Sequence, residues 1–415
     1  MLNTFLIALS VIALITIIFE DITKINKAKT TLFLGCFSWV CLFVAAGSSS
    51  HQQIITKDLN ENLLEIATLW LFLMSTMTFV AYLNAKGMIQ LIVQKIFPSQ
   101  ISVRLLMIQV SLFALILSTF CDNVTATLVT LGLLSTFNLS SEVKLKMAVL
   151  VVFAVNSGGV ALITGDVTTL MIFLSGHVKM SELVTLIIPS AISVILLSSM
   201  FSYNLKGTVS TTKVESNYNR IDVAITILFF STIVLTMLLN ILFAIPPVLT
   251  FLTGLSIMFL LGSLARSNRE EVKILEYIRQ VEFDTLLFFL GILLLVGMLK
   301  EIGVLDTLAQ VYSQHSASVS NYIAGTFSAL LDNVPLTAAL LKADPNLTTP
   351  EWLGLTYGVG VGGSLLVIGS AAGVIAMSKV KELTFGSYLK FFPALLICYS
   401  LGYGLTLVVG RYFFG

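Results

Sequence analysis

Mostly apolar stretches, each long enough to cross a bilayer, recur from one end of this sequence to the other and restrict it to membrane folds. Examples are Leu2–Phe19, Leu32–Ala46, Leu63–Leu83, Leu183–Phe201, Val223–Phe243 and Phe391–Val409. With 57% hydrophobic and 11% charged residues over 415 positions, little remains to build an extramembrane domain. The longest polar connections, 47–62, 204–220 and 265–281, each have room for a loop or one interfacial helix. A net charge of +1 points away from nucleic acid and acidic partners, which leaves membrane lipid as the expected surrounding. Met1–Phe19 has no basic start and no small-residue cleavage site, so it reads as an uncleaved first span.

Cys36, Cys41, Cys121 and Cys398 all fall inside apolar runs without CxxC spacing, so they read as buried free thiols. His51, His177 and His315 read as solvated loop residues. Neither set suggests a metal centre.

Self-similarity is more informative. Phe120-Cys-Asp-Asn-Val-Thr-Ala-Thr-Leu128 resembles Leu330-Leu-Asp-Asn-Val-Pro-Leu-Thr-Ala338, with Ser118 and Ser328 four residues ahead of each aspartate. Gly158-Gly-Val-Ala-Leu-Ile-Thr-Gly-Asp166 matches Gly362-Gly-Ser-Leu-Leu-Val-Ile-Gly-Ser370, with three glycine pairs at a constant offset of 204. Upstream, Glu65–Leu73 lines up with Glu282–Leu290. Three blocks in the same order divide the chain into repeat 1 (1–203), a connecting loop (204–220) and repeat 2 (221–415).

Each Asp-Asn segment sits inside an apolar run, at 102–137 and 319–341. The first run is about twice the length of one crossing, and Pro335 breaks any continuous helix in the second. Both fit re-entrant hairpins whose irregular tips are buried in protein. The distribution of positive charge tests this. If hairpins return to their own side and all other spans cross, eighteen of the 23 Lys and Arg fall on one side and five on the other. Counting each hairpin as a single crossing gives eleven against twelve, and the bias disappears. The expected fold is therefore an all-α polytopic membrane protein with an inverted repeat. Each half has five transmembrane helices, one of them broken, plus one re-entrant hairpin. The broken helices fall at about 145–175 and 352–378. Five crossings per half put both termini outside the cytoplasm.

Acidic residues at membrane depth mark function by default, because a carboxylate there costs about 2.5–3.5 kcal/mol on insertion scales. Asp122, Asp166 and Asp332 are such residues, and Asp284 lies one step inside a span. Asn123 and Asn333 adjoin two of them, Thr168 follows Asp166 by two residues, and Thr285 follows Asp284. Asn156-Ser-Gly-Gly and Gly360-Val-Gly-Gly interrupt their spans and are expected to free backbone groups towards a cavity. Carboxylate, amide and hydroxyl oxygens form a hard-cation donor set, and no Lys or Arg is expected among them. The site predicted is for Na⁺ at Asp122, Asp166 and Asp332. A proton and a Na⁺ competing for buried carboxylates is all that antiport requires.

These strings, together with Gly-Asp-Val-Thr-Thr-Leu and Val-Glu-Phe-Asp-Thr, resemble those of NhaD-type sodium/proton antiporters of the ion transporter superfamily. The resemblance implies exchange of Na⁺ or Li⁺ for H⁺ without a cofactor, a homodimer, an elevator-like movement of the hairpin-bearing part and a bacterial inner membrane. It places Ser118, Asp122, Asn123, Asn156, Asp166, Thr168, Asp284, Thr285, Ser328, Asp332, Asn333 and Ser370 near the ion. The halves differ where Asp166 has Ser370 as its repeat mate, and where Ala67 stands against Asp284. An arsenite or dicarboxylate carrier is the alternative on the same fold. An intramembrane aspartyl protease is disfavoured, because Ile163 replaces the first glycine of Gly-x-Gly-Asp and no Tyr-Asp pair occurs.

Overall fold

The structure is a computed structural model that describes residues 2–18, 26–47, 49–88, 100–135, 137–203, 205–210, 219–264, 275–279, 283–306, 310, 312, 314–330 and 333–415. Among the described residues it is all-α except for one short ribbon, in which Gln100–Ser102 pairs antiparallel with Thr208–Ser210. Among the described residues seven helices are long and apolar enough to cross a membrane, and Leu2–Ile17 and Pro247–Gly262 are shorter apolar helices. This is the expected polytopic membrane protein.

The connection at 47–62 is not a separate loop or interfacial helix. Ser49–Ala85 is one continuous helix, because no Gly or Pro interrupts it and Lys57 pairs with Glu61 one turn on, at 3.8 Å. Two of the four cysteines depart from expectation. Cys121 and Cys398 are buried, but Cys36 is exposed and Cys41 only partly covered, since they lie on the outer face of Lys27–Ala45. All four are free thiols.

Helix Phe283–Glu301 is held between two helices of the first half. Against Lys27–Ala45 the contacts advance together: Asn26 Nδ2 donates to Asp284 Oδ2 (2.9 Å), Gly35 abuts Gly291, and Trp39 Nε1 donates to the Leu294 carbonyl (2.9 Å). The two helices are therefore parallel. A Cβ on Gly291 would come within 2.3 Å of the Leu32 nitrogen, so the backbones touch there. Against Ser49–Ala85 the contacts run in opposite senses. Asn62 Nδ2 donates to Leu293 O (3.2 Å) and Trp70 Nε1 to Leu286 O (2.7 Å). That pair is antiparallel, and it carries the matched Glu65 and Glu282 blocks.

The Asp-Asn and glycine segments each split into two helices. In the first half they are Val103–Phe120 with Asn123–Ser135, and Ser141–Gly159 with Val167–Leu174. In the second they are Ala317–Phe327 with Asn333–Ala343, and Thr349–Gly362 with Ala371–Lys379. The local chemistry explains the breaks. Cys121 is extended after Phe120, and Asp122 accepts from Thr125 N (2.9 Å) to start the next helix. Asp166 and Ser370, extended at the same point of the two repeats, accept from Thr168 N (3.0 Å) and Gly373 N (3.3 Å).

Packing repeats as well. Val103–Phe120 lies on Ser141–Gly159 as Ala317–Phe327 lies on Thr349–Gly362. Asn123–Ser135 also packs on Ala371–Lys379, and Asn333–Ala343 on Val167–Leu174, so the second helix of each Asp-Asn segment reaches across to the other half as well as to its own. The glycines serve these approaches. A Cβ on Gly158 would stand 2.1 Å from Leu115 O, and one on Gly362 1.9 Å from Gly325 O. The expectation that they open the backbone to a cavity is corrected, since close helix approach uses the space first. None of Gly158, Gly159, Gly360, Gly362 and Gly363 lines the cavity described next, although Gly165 does.

Candidate functional site

Four helix N-termini converge where the Asp-Asn segments meet the glycine segments: those beginning at Asn123, Val167, Asn333 and Ala371. They enclose a cavity of about 240 Å³, whose lining includes Asp122, Asn123, Asp166, Asn333 and Ser370. It continues to Asp284 and Thr285 in the first turn of Phe283–Glu301 and to Asn26 and Lys27 beside them. Seven of the twelve predicted residues thus share one cavity.

Asp166 is the centre of the polar network. The residue is 7% exposed, with Oδ1 accepting from the Thr168 amide. Oδ2 accepts from Asn123 Nδ2 (3.0 Å) and Asn333 Nδ2 (3.2 Å), one asparagine from each Asp-Asn segment. Asn123 is oriented in turn by Ser118, whose hydroxyl donates to Asn123 Oδ1 (2.7 Å). Gly159 seals this contact, because a Cβ there would fall 2.7 Å from Asn123 Oδ1. The carboxylate at Asp122 is held locally. Thr125 donates to it twice, from N (2.9 Å) and from Oγ1 (2.8 Å).

Asn156 does not line the cavity but supports it, donating to Ser370 Oγ (3.1 Å) and to Val152 O (2.8 Å). Its Oδ1, the Ser157 hydroxyl and the Thr168 hydroxyl are buried without a hydrogen-bond partner. An oxygen left so costs about 1–3 kcal/mol, and these are the donor types a hard cation accepts. Ser328 is set apart, since its hydroxyl donates to the Val359 carbonyl (2.8 Å). Asp332 lies outside the described residues. Among the described residues no three His, Cys, Asp or Glu side chains cluster as a metal site.

Sequence reasoning missed Asn26, Thr125 and Ser157, and it did not place Lys27 at the site. Lys27 is on the cavity wall, its ammonium 4.9 Å from the centre of the Phe288 ring. The expectation of no cationic side chain among the site's groups is therefore corrected. Nothing local in the sequence marked Lys27 or Asn26, because their placement depends on the parallel pairing with a helix more than 250 residues away. His177 departs from a solvated loop residue too. It stacks on Trp352 (centroids 3.8 Å apart, planes at 13°), with Nε2 3.5 Å from Asp344 Oδ1.

Comparison with known proteins sets this geometry in context. Residues 3–360 match the family CitMHS, described as citrate transporter. The Na(+)/H(+) antiporter NhaD of Vibrio parahaemolyticus is 29% identical over 90% of this chain and 98% of its own length. The Na(+)/H(+) antiporter NhaD of Alkalimonas amylolytica is 29% identical over 95% and 88%. Sodium/proton antiporter 2 of Arabidopsis thaliana is 30% identical over 89% and 91%. The resemblance drawn from the Asp-Asn and Gly-Asp-Val-Thr-Thr-Leu strings extends over nearly the whole chain, and these relatives are named as transporters, not enzymes.

Proposed function

The chain belongs to the CitMHS family of membrane transporters, and we propose that it exchanges Na⁺ or Li⁺ for H⁺, the cation and proton competing for Asp122, Asp166 and Asp332. The observation that carries this reading is the setting of Asp166. A buried carboxylate on a cavity wall, fixed by one asparagine from each hairpin, changes its surroundings whenever either hairpin moves. Cation binding favours its charged form and burial its protonated form, so the two ligands exclude each other. Access alternating between the two faces then converts exclusion into exchange.

An anion carrier is the second reading, and specific observations favour it. Four helix N-termini suit an anion, Lys27 adds positive charge, and the family description names citrate. Against it, the sequence sets an aspartate ahead of three of those four helices. Carboxylates there offset the helix dipoles and repel a carboxylated substrate. Collapse of a pH gradient in everted vesicles separates the readings. Dissipation by Na⁺ or Li⁺ supports antiport. No dissipation by either cation at any pH, with uptake of citrate, a dicarboxylate or arsenite instead, moves the chain to the alternative.

The architecture we propose is the inverted repeat of 1–203 and 221–415. The antiparallel run of the helices bearing the Glu65 and Glu282 blocks supports it. So does the parallel run of Lys27–Ala45 and Phe283–Glu301. Parallel spans are separated by an odd number of crossings, and five lie between these two if the first hairpin returns to its own face. With the lysine-rich face cytoplasmic, as in a bacterial inner membrane, both termini lie outside. The cavity extends to Asn26, Lys27 and Asp284, at helix ends that this orientation puts on the cytoplasmic side, so it opens inward. A homodimer and an elevator-like movement of the hairpins and broken helices complete the proposal, both carried from the resemblance.

A further inference from the structure

A second cavity, of about 540 Å³, opens at the far ends of two helices that build the ion site. One wall is apolar: Leu128, Leu131 and Leu134 of Asn123–Ser135. The other carries Lys144, near the start of Ser141–Gly159, and Lys379 and Lys381, at and just beyond the end of Ala371–Lys379. Glu382 is the one acid in the lining, and none of the three lysines is ion-paired with it or with any other described residue. Other lysines of the chain do pair: Lys146, two residues from Lys144, takes Glu142 at 2.7 Å, and Lys342 takes Glu65 at 2.5 Å. Lys379 gains from the C-terminal end of its helix dipole, but Lys144 sits near an N-terminus, where the dipole opposes a cation.

We propose that this cavity binds the headgroup of an anionic phospholipid, the phosphate on the lysines and the glycerol and upper acyl chain on the leucines. Charge complementarity selects the occupant. The walls pair a net positive cluster with an apolar face, which an amphiphile fills and a free inorganic anion fills only in part. All three lysines belong to the face that collects eighteen of the 23 positive charges, and the cytoplasmic leaflet presents anionic lipid to such a face. Lys144 comes from the first half and the other two from the second, so a bound headgroup bridges both. The cavity sits at the C-terminal ends of helices whose N-terminal ends present Asn123 and Ser370 to the ion. A lipid there steadies the pair that the ion site needs; this consequence for exchange rests on the reading proposed above, whereas lipid binding does not.

The test uses the purified full chain and reads thermal unfolding and exchange separately. Phosphatidylglycerol, phosphatidylcholine and inorganic phosphate are each titrated against wild type and against K144Q/K379Q/K381Q. Phosphatidylglycerol is expected to raise Tm in wild type, with its apparent affinity falling roughly fivefold for each lysine removed, while phosphatidylcholine and phosphate do neither. In phosphatidylcholine alone the triple variant should fold and exchange as wild type does. An equal shift in the triple variant, or an equal shift with phosphate, overturns the proposal. If the triple variant does not fold, each single substitution read against K390Q, outside the cavity, decides the same question. Loss of exchange in every lipid with the phosphatidylglycerol shift intact counts against the transport reading and not against this site.

Discussion

At Asp166 a single oxygen gathers the side chains of both hairpins, which makes it the residue where the proposed chemistry is most exposed to test. Asp166→Asn keeps the shape and removes the charge. Without that charge the cation and the proton lose the carboxylate they share, so Na⁺- and Li⁺-dependent exchange in vesicles should fall by about two orders of magnitude or more, with insertion unchanged. Thr125→Val removes one of two hydrogen bonds to Asp122, worth about 0.5–1.5 kcal/mol. The cation concentration for half-maximal exchange should rise by a factor of about two to ten. Wild-type kinetics in this variant would show that Thr125 does not tune the site. The aspartates were legible in the sequence because a carboxylate in an apolar run has few innocent explanations. The convergence of Asn123 and Asn333 on one oxygen was not, since hydrogen-bond partners 167 residues apart follow from packing, not from spacing.

Among the elements, the hairpins and broken helices carry the design, and their glycines were visible as a repeat but misread in role. Gly158→Ala forces the Leu115 carbonyl away from Ser141–Gly159, an overpacking of about 1–3 kcal/mol. A methyl group at Gly404 would meet no atom within 4 Å, so Gly404→Ala should leave Tm unchanged or slightly raised. Comparing the two in detergent separates close approach from helix propensity. His177 gives a pH dependence to the joint between the first broken helix and the second hairpin. Burial against Trp352 holds its pKa below the ordinary 6.5, with Asp344 opposing. Between that value and the lowered one the unfolded chain binds more protons than the folded, so this contribution is complete above about pH 6.5 and is lost as pH falls below it. His177→Phe, which keeps the stacking, should flatten the fall of Tm in that range. An unchanged slope would place the acid sensitivity elsewhere. The stacking was illegible because Trp352 lies in the other half of the chain.

For the whole molecule, the repeat and the imbalance of positive charge were both present in the sequence, and together they underlie the orientation proposed above. What the sequence did not show is that one helix, Phe283–Glu301, meets a parallel partner and an antiparallel one at once, which ties the crossing number to the hairpins. A cysteine added after Gly415 should react with an impermeant thiol reagent in intact cells, in a background lacking Cys36, Cys41, Cys121 and Cys398. Reaction only after lysis would put that end in the cytoplasm and undo the orientation. The competition at Asp166 is tested most directly by titrating Na⁺ or Li⁺ into the purified protein in weak buffer and following the pH. Wild type should release protons as either cation binds, choline should release none, and Asp166→Asn should release markedly fewer. Cation binding without proton release, or release undiminished in Asp166→Asn, would contradict a shared carboxylate site.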